Sequence, residues 1–433
     1  MNWVFITLAA VGMSAATSLS FAVPVFSPTG SSLTYGSISQ HQTVLSATNN
    51  PAGAATMLEK GDGWFGFGLL SSVGVGYEVG PMDNLTDRID EFQKDLDKKD
   101  LSIDDANQII ERTDAFLVEL GESGYASVHT ALHVPLFPLI FTSKNTLGGS
   151  LTFDMNASVK AKLSVLDRPL KFNSTTEQVE TGTAFYVKTG AVAEGSIGYS
   201  KPLIYGFSGT LYGGIKANYY QMGLRKALAA VAIADDAESV LRDEFNKTPD
   251  IQNGYGVDLG LMWMADNYRL GASFKNLNSP SFNYEVVGDH CDQQTGAASD
   301  NCYSSQTFAN EIDLTEQYVM NANVSLEGAV FSDSKNWFLA AAADTSPVND
   351  PLGKQHQWIS LSTGYATSSW IVPGFRLGYR KNMAGTEQSY ATFGFNLFKI
   401  VNFDAAYGLE TIEIDGSKYP RSAMANLGLE FLF

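Results

Sequence analysis

The sequence predicts an all-β membrane protein, an antiparallel transmembrane β-barrel of about 14 strands with helical inserts in its external loops. Three observations predict this fold class. Apolar and polar residues alternate over long segments, and short and long connections alternate between those segments. After residue 22, no segment has the roughly 18 consecutive apolar residues of a membrane helix.

The alternation is clearest from Ser150 to Ser164, where seven apolar residues occupy one face of a strand and eight polar residues the other. The segment from Phe207 to Tyr220 repeats the pattern. Its apolar face spans about 40 Å along the strand, which a tilt near 40° reduces to about 30 Å along the membrane normal. Strands of soluble proteins average about 5 to 6 residues, so these lengths favour strands that cross a bilayer.

The connections between predicted strands fall into two classes of length. Short turns are predicted at 265–267, 332–335 and 398–399, with slightly longer ones near 135–146, 200–206 and 367–373. The other connections are far longer, at 80–123, 223–253 and 278–315. Short periplasmic turns and long external loops are typical of bacterial outer-membrane barrels.

The N-terminus predicts export. Residues 1–22 contain no Asp, Glu, Lys or Arg, hold the apolar run from Trp3 to Val11, and end at the small residue Ala22. This pattern is typical of a secretory signal peptide, so we expect residues 1–22 to be cleaved. In a Gram-negative bacterium the exported barrel would then lie in the outer membrane.

Two segments depart from the period of two. In residues 83–121, Leu85, Ile89 and Phe92 recur at helical spacing, and Ser102 precedes a second helical pattern. Residues 224–246 show a third such pattern. We expect helical inserts in external loops that either cap the mouth of the barrel or offer a surface to a ligand or partner.

The charge balance excludes one class of partner. The 433 residues include 28 Lys and Arg against 46 Asp and Glu, which gives a net charge of −18. A nucleic-acid-binding protein needs a basic surface, so we expect no nucleic acid as partner.

Motifs for chemistry are weak. The segment 61–66 matches G-x-G-x-x-G but precedes a strand and opens no helix. His129 and His133 are four residues apart, which on a strand separates them by about 13 Å. We therefore predict no cofactor, no metal site and no catalytic residue, and an enzyme is the least favoured class.

Cys291 and Cys302 are the only cysteines and flank a polar loop near 288–305. In an oxidising compartment, an even pair that closes a short loop predicts a disulfide.

The polar faces of the strands are predicted to line the lumen. They carry both signs of charge, which argues against a purely apolar conduit: Asp154, Lys160, Lys162, Lys216, Arg269, Lys275, Arg376 and Arg380.

The two ends of the chain resemble a known family. The last strand has Phe431 and Phe433 on one face, similar to the C-terminal recognition signal of outer-membrane barrels. Asn50-Pro51-Ala52 is similar to the Asn-Pro-Ala motif of the FadL-type outer-membrane transporters. The helical insert after the first strand and the segment Lys275–Phe282 resemble the TraF-like conjugal-transfer barrels, relatives of the same class.

The resemblance implies that residues 23–60 form an N-terminal plug and residues 61–433 the barrel. It also implies two candidate functions. One is a plugged channel or transporter for hydrophobic or amphipathic small molecules, surrounded by outer-membrane lipid. The alternative is a conjugation-associated or structural envelope barrel whose external loops contact a partner protein.

Overall fold

The chain folds into a closed antiparallel β-barrel in a computed structural model. The structure describes residues 30–36, 44–60, 63–96, 98–145, 147–206, 208–230, 250–366 and 369–432. The predicted signal peptide, residues 1–22, and Phe433 lie outside these residues.

The chain forms 23 strands within the described residues. They are β1 Gly63–Val79, β2 Tyr125–His133, β3 Leu139–Ser143, β4 Gly149–Leu166, β5 Lys171–Asn173, β6 Gln178–Glu180, β7 Ala184–Gly206, β8 Gly209–Ala230, β9 Ile251–Met264, β10 Tyr268–Lys275, β11 Ser281–Asn283, β12 Gln317–Val319, β13 Asn323–Phe331, β14 Trp337–Asp344, β15 Val348–Asn349, β16 Gln355–His356, β17 Trp358–Tyr365, β18 Gly374–Asn382, β19 Ser389–Leu397, β20 Val401–Gly408, β21 Thr411–Ile414, β22 Ser417–Pro420 and β23 Ser422–Leu432.

Fifteen of these strands form the barrel wall, and they fill 14 positions because β2 and β3 share one. Both β2 and β3 pair with β1 on one side and with β4 on the other. The pairing of β1 with β23 closes the wall. The remaining strands form four small hairpins in the connections: β5–β6, β11–β12, β15–β16 and β21–β22. The predicted 14-stranded transmembrane barrel is confirmed.

The second wall position is interrupted at residues 134–138, between β2 and β3. Pro135 and Pro138 lie within this break and have no N–H to donate to a neighbouring strand. The facing part of β1 is irregular as well, since its register to β23 shifts twice between Gly68 and Val73. This is the least regular part of the wall.

The outer surface of the barrel is an apolar belt. Large apolar side chains point outward and are exposed on every second residue, for example Leu270, Leu326, Leu339, Leu361, Leu377 and Leu427. Aromatic clusters flank the belt: Trp337, Tyr365 and Phe375 near the short turns, and Tyr219 and Tyr255 near the long loops. Such girdles are expected at the two interfaces of a bilayer.

The helices occur before β1 and in the connections between strands. They are α1 Ser32–Tyr35, α2 Val44–Ala47, α3 Leu85–Leu96, α4 Ile103–Ser123 and α5 Ala297–Thr307, with 3-10 helices at Gly53–Lys60 and Cys291–Gln293. Among the described residues, none of these helices is long and apolar enough to span a membrane.

Helices α3 and α4 form a pair above the long-loop end of the barrel. Ser102 caps α4 by accepting a hydrogen bond from the Asp105 N–H at 3.2 Å. Phe92 of α3 and Phe116 of α4 pack together and join buried apolar residues of β4 and the β5–β6 hairpin. We call this unit, residues 85–123, the helical cap.

Three predictions about the connections were wrong. Residues 224–230 continue β8 rather than starting a helix, because they pair with β7 through Ala184–Gly190; residues 231–249 lie outside the described ones. Residues 200–206, predicted as a turn, belong to β7. The predicted turn at 135–146 contains β3, which resumes the strand beyond the break.

Candidate functional site

The N-terminal segment, residues 30–36 and 44–60, packs against strands of the barrel wall. Helix α1 lies against β17 to β20, α2 against β1 and β23, and the 3-10 helix after Asn50 against β3, β4, β7 and β8. Leu33, Tyr35, Val44 and Met57 are buried. The segment therefore contacts the inner wall on several sides.

The Asn-Pro-Ala motif contacts one point of that wall. The Asn50 amide nitrogen lies 3.2 Å from the carbonyl oxygens of Leu261 and Ala272 and 3.1 Å from Glu327 Oε1. Asn50 Oδ1 accepts a hydrogen bond from the Ala52 N–H at 2.9 Å. One side chain thus joins the segment to β9, β10 and β13.

Two glycines make room for the motif. Gly214 of β8 and Gly260 of β9 are direct cross-strand partners. A Cβ on Gly214 would lie 2.1 Å from the Pro51 carbonyl oxygen, and one on Gly260 would lie 2.1 Å from Asn50 Oδ1. Any larger residue would push the motif off the wall.

A buried ion pair holds α1. Arg376 Nε donates to Asp404 Oδ1 at 2.7 Å, and Arg376 Nη2 donates to Asp404 Oδ2. The Thr34 hydroxyl donates to the same Asp404 Oδ1 at 2.6 Å, and the Tyr35 ring lies 5.4 Å from the Arg376 guanidinium. Arg376 is thus paired with a carboxylate and positions the N-terminal segment.

Arg380 lies four residues after Arg376 on the same face of β18 and also contacts α1. Its Nη1 donates to the Leu33 carbonyl oxygen at 3.2 Å, and its guanidinium lies 4.1 Å from the Trp358 ring. Ser360 Oγ donates to the Tyr35 carbonyl oxygen at 3.4 Å. The C-terminal carbonyl groups of α1 thus face donors on β17 and β18.

Glu430 of β23 caps the start of α2. Its Oε2 accepts hydrogen bonds from the N–H groups of Val44 and, at 3.4 Å, of Leu45. A carboxylate at a helix N-terminus satisfies amide donors that have no partner within the helix. Glu430 is fully buried beneath the segment.

The other predicted lumen residues are buried or half-buried. Asp154 lies 3.7 Å from His133 Nε2, and Lys216 lies 3.1 Å from Glu194. Arg269 is fully buried, 3.8 Å from Glu327 Oε2. Lys275 is half-buried on β10, and the Lys162 ammonium lies 5.4 Å from the Tyr125 ring.

Lys160 belongs to a second group of charges near the long-loop end. Its ammonium lies 3.2 Å from Asp350 Oδ2, and Asp350 belongs to the connection between β14 and β17. Burial alone would raise the pKa of Asp350, but Lys160, His356 and Lys354 together hold that pKa well below its usual range. Asp350 is therefore charged at neutral pH.

A small cavity of about 30 Å³, partly open to solvent, lies beside this group. It is lined by Glu78, Lys160, Asp350, Lys354, His356, Trp358, Tyr390 and Met424, among others. His129 also lines it, whereas His133 faces Asp154, so the two histidines do not converge. Among the described residues, no group of three or more His, Cys, Asp or Glu side chains could hold a metal ion.

The predicted disulfide between Cys291 and Cys302 is confirmed and lies in the connection between β11 and β12.

Phe431 of the last strand stacks on Phe67 of the first, with ring centroids 5.3 Å apart.

Several functional residues were missed by the sequence prediction. Glu430 could have been found, because it continues the polar row of β23 after Asn426. Asp350 and Lys354 lie in a connection without periodicity, so no pattern marks them.

The family model described as "F plasmid transfer operon, TraF, protein" matches residues 47–344, which is more than half of the chain. The chain belongs to this TraF family. The match begins at the Asn-Pro-Ala motif region and covers the helical cap and the wall as far as β14. No curated protein matches the sequence.

The chain is similar to several solved structures, among them these three. The Pseudomonas putida toluene transporter TodX is 13% identical, with a TM-score of 0.43 and coverage of 95% of this chain and 99% of that one. A Pseudomonas aeruginosa FadL homologue is 12% identical, with a TM-score of 0.40 and coverage of 96% and 99%. The Ralstonia pickettii toluene transporter TbuX is 12% identical, with a TM-score of 0.35 and coverage of 89% and 92%.

Proposed function

We propose that the protein is a plugged channel or transporter of the bacterial outer membrane. The chain would be exported to that membrane after cleavage of its signal peptide. The observation that carries this proposal is the N-terminal segment inside the barrel. It is held by a few directed contacts, chiefly those of Asn50, Asp404 and Glu430. A barrel of about fourteen strands is wide enough to need such filling.

The interior suits hydrophobic or amphipathic small molecules. Apolar clusters alternate there with charged groups: Val44, Ala47, Ala54, Met57 and Ile140 form one, and Ala52, Ala55, Tyr212 and Met262 another. Both clusters lie between the segment and the wall, so movement of the segment would expose Ile140, Tyr212 and Met262 of the wall to the apolar body of a cargo. We expect no catalysis, since Arg380, Asp404 and Glu430 of the interior bind the N-terminal segment.

The break in the wall supports a sideways exit for an apolar cargo. Residues 134–138 lack regular strand pairing, and Leu136 and Leu69 beside them are exposed on the barrel surface. A local opening there would release an apolar molecule toward lipid and expose few additional backbone groups.

Planar-bilayer conductance tests the proposal. We compare the mature chain with a variant that lacks residues 23–48, and migration of unboiled and boiled samples on SDS gels shows whether each is folded. A channel predicts that the deletion raises conductance, because the barrel loses its filling. Silence of both folded forms, with no apolar ligand retained in native mass spectrometry, would reject the transport function.

The second candidate is an interaction protein of the envelope, and the description of the family, which refers to a plasmid transfer operon, favours it. The helical insert that contains Leu85, Ile89 and Phe92 was expected to cap the barrel or to form a contact surface. These three residues pack within the helical cap. A partner would therefore contact the polar outer face of the cap. Loss of a partner contact without a change in conductance would favour this candidate.

A further inference from the structure

The connection between β14 and β17, residues 345–357, folds into the barrel and reaches the opposite wall. Its β15–β16 hairpin pairs Val348 with His356, and the residues between the two strands, 350–354, form what we call the tip. The tip contacts β1, β2, β4 and β7, although four strands separate β17 from β1 on the shorter way around the barrel. Such a connection crosses the lumen.

Two ion pairs hold the tip, and we call them the latch. Asp350 Oδ2 lies 3.2 Å from Lys160 Nζ of β4. Lys354 Nζ lies 3.1 Å from Glu78 Oε1 of β1, and it also donates to Ser127 Oγ of β2 at 2.7 Å. Each pair joins one charge of the tip to the opposite charge of the wall, so the docked loop leaves neither unpaired.

The tip is also shaped for this position. Asp350 Oδ1 accepts hydrogen bonds from the N–H groups of Leu352 at 2.9 Å and Lys354 at 2.8 Å, which folds the tip into a tight turn. Pro351 lies against Gly190 of β7, where an added Cβ would be 2.9 Å from the Pro351 Cβ. The wall therefore has a glycine where the tip meets it.

The ion pairs of the latch are separate from the polar anchors of the N-terminal segment. Those anchors lie on β9, β10, β13, β18, β20 and β23, whereas the latch residues of the wall belong to β1 and β4, against which the segment only packs. The tip also lies nearer the long loops than the Asn-Pro-Ala motif does. Gly214, which meets Pro51, pairs with Ser200 of β7, and Ser200 pairs with Ser150, which precedes Lys160 on β4 and lies nearer the short turns. The lumen thus contains two obstructions in series.

We propose that the loop 345–357 is a second closure of the barrel, opened by release of the latch, and that it controls access from the long-loop side to the cavity beneath it. Its effect on transport rests on the proposed function. Its movement does not, and can be measured without any cargo. Breaking one ion pair leaves a buried charge without its partner, which favours the undocked loop.

The first experiment measures access past the loop. A single cysteine replaces Ser158, which is buried on the inner face of β4 two residues below Lys160, in a Cys291→Ser/Cys302→Ser chain. A charged, membrane-impermeant methanethiosulfonate reagent is added to the long-loop side of the full chain in lipid vesicles. The rate of modification reports how often the loop is undocked.

Lys354→Glu should raise this rate by about tenfold or more, since it places two carboxylates together. The exchange Lys354→Glu/Glu78→Lys should return most of the difference. Lys418→Glu makes the same change of charge on the exposed β21–β22 hairpin and should have no effect. Equal rates for Lys354→Glu and its parent, with both folded on SDS gels, would overturn the closure.

A crosslink provides a variant in which the tip is held on the wall by a covalent bond. Gly190→Cys/Pro351→Cys, in the same cysteine-free background, places two Cβ atoms close enough for a disulfide after a small shift. In the variant that lacks residues 23–48 and carries Lys354→Glu to release the latch, conductance should increase severalfold when the crosslink is reduced. Unchanged conductance in a conducting variant would overturn the closure.

The two proposals fail in different ways. If the deletion variant is silent before and after reduction, but Lys354→Glu still accelerates modification at position 158, the conduit of the proposed function fails and the moving loop stands. If modification is not accelerated, the loop inference fails whatever the conductance shows.

Discussion

The N-terminal segment inside the barrel and the helical cap outside it are both held by arginine–carboxylate pairs, but in opposite surroundings. The Arg376 and Asp404 side chains beneath α1 are 3% and 1% exposed. The Arg88 and Glu119 side chains, which link α3 to α4 at 2.7 Å, are 34% and 46% exposed. Water and salt screen the second pair and hardly reach the first, so removal of one partner has very different consequences.

The difference also concerns what surrounds each pair. Asp404 accepts a further hydrogen bond from Thr34, so the inner pair is part of a network that positions the segment. In the cap, buried apolar residues such as Phe92, Leu117 and Leu120 provide the packing, and the Arg88–Glu119 pair lies at its surface. Buried polar contacts therefore add to the apolar packing of the segment, whereas the cap depends mainly on apolar packing.

The largest effect is expected from Arg376→Met. It leaves Asp404 buried without its cation, and breaking a buried pair costs about 3–5 kcal/mol. The free energy of unfolding, measured by denaturant titration in detergent micelles, should fall by that amount. Arg376→Met/Asp404→Leu should recover much of the loss, because it removes the unpaired charge as well. A double variant as unstable as the sum of the two single ones would contradict this account.

An intermediate effect is expected from Gly260→Ala, which tests the fit of the Asn-Pro-Ala motif. The new methyl would overlap Asn50, and overpacking of this kind costs about 1–3 kcal/mol. We expect protease cleavage within the N-terminal segment to become faster while the barrel stays folded. Gly195→Ala is the matched control, since an added Cβ there meets nothing within 4 Å. The same cleavage rate in both variants would show that the motif does not depend on this contact.

The smallest effect is expected from Glu119→Gln in the helical cap. The Arg88 guanidinium lowers the pKa of Glu119, but the pair is exposed, and such pairs contribute about 0.2–1 kcal/mol. Hydrogen exchange of the α4 amides should accelerate slightly at low salt and not at all at high salt. Glu122→Gln changes the next acidic residue of α4 and serves as control. A loss as large as that of Arg376→Met would remove the contrast between the two regions.

The sequence predicted the wall well and the interior poorly, for a physical reason. The period of two assigns Lys160, Arg376 and Arg380 to the inner face, because successive side chains of a strand point to opposite sides. It does not say which group each will meet, since a partner across the lumen comes from a distant strand or from the N-terminal segment. Asp350 and Leu33 became partners of these cations only through closure of the barrel.

The misassigned residues follow from the same limit. Residues 224–230 have a helical spacing of apolar groups, yet they pair with β7, whose opposite edge is already held by β4. Tertiary pairing outweighed the local pattern there. By contrast, the helical cap has its own apolar core and a Ser102 cap, so local signals were sufficient.

The anchors of the N-terminal segment have a consequence for the order of assembly. Thr34 meets Asp404 370 residues further along the chain, and Val44 meets Glu430 386 residues further. Contacts between such distant residues form late in folding. The N-terminal segment can therefore bind to the wall only after β20 and β23 have formed. The pairing of β1 with β23 and the contact of α2 with Glu430 then belong to the same last step of folding. A barrel that fails to form its last strand also leaves α2 without its cap.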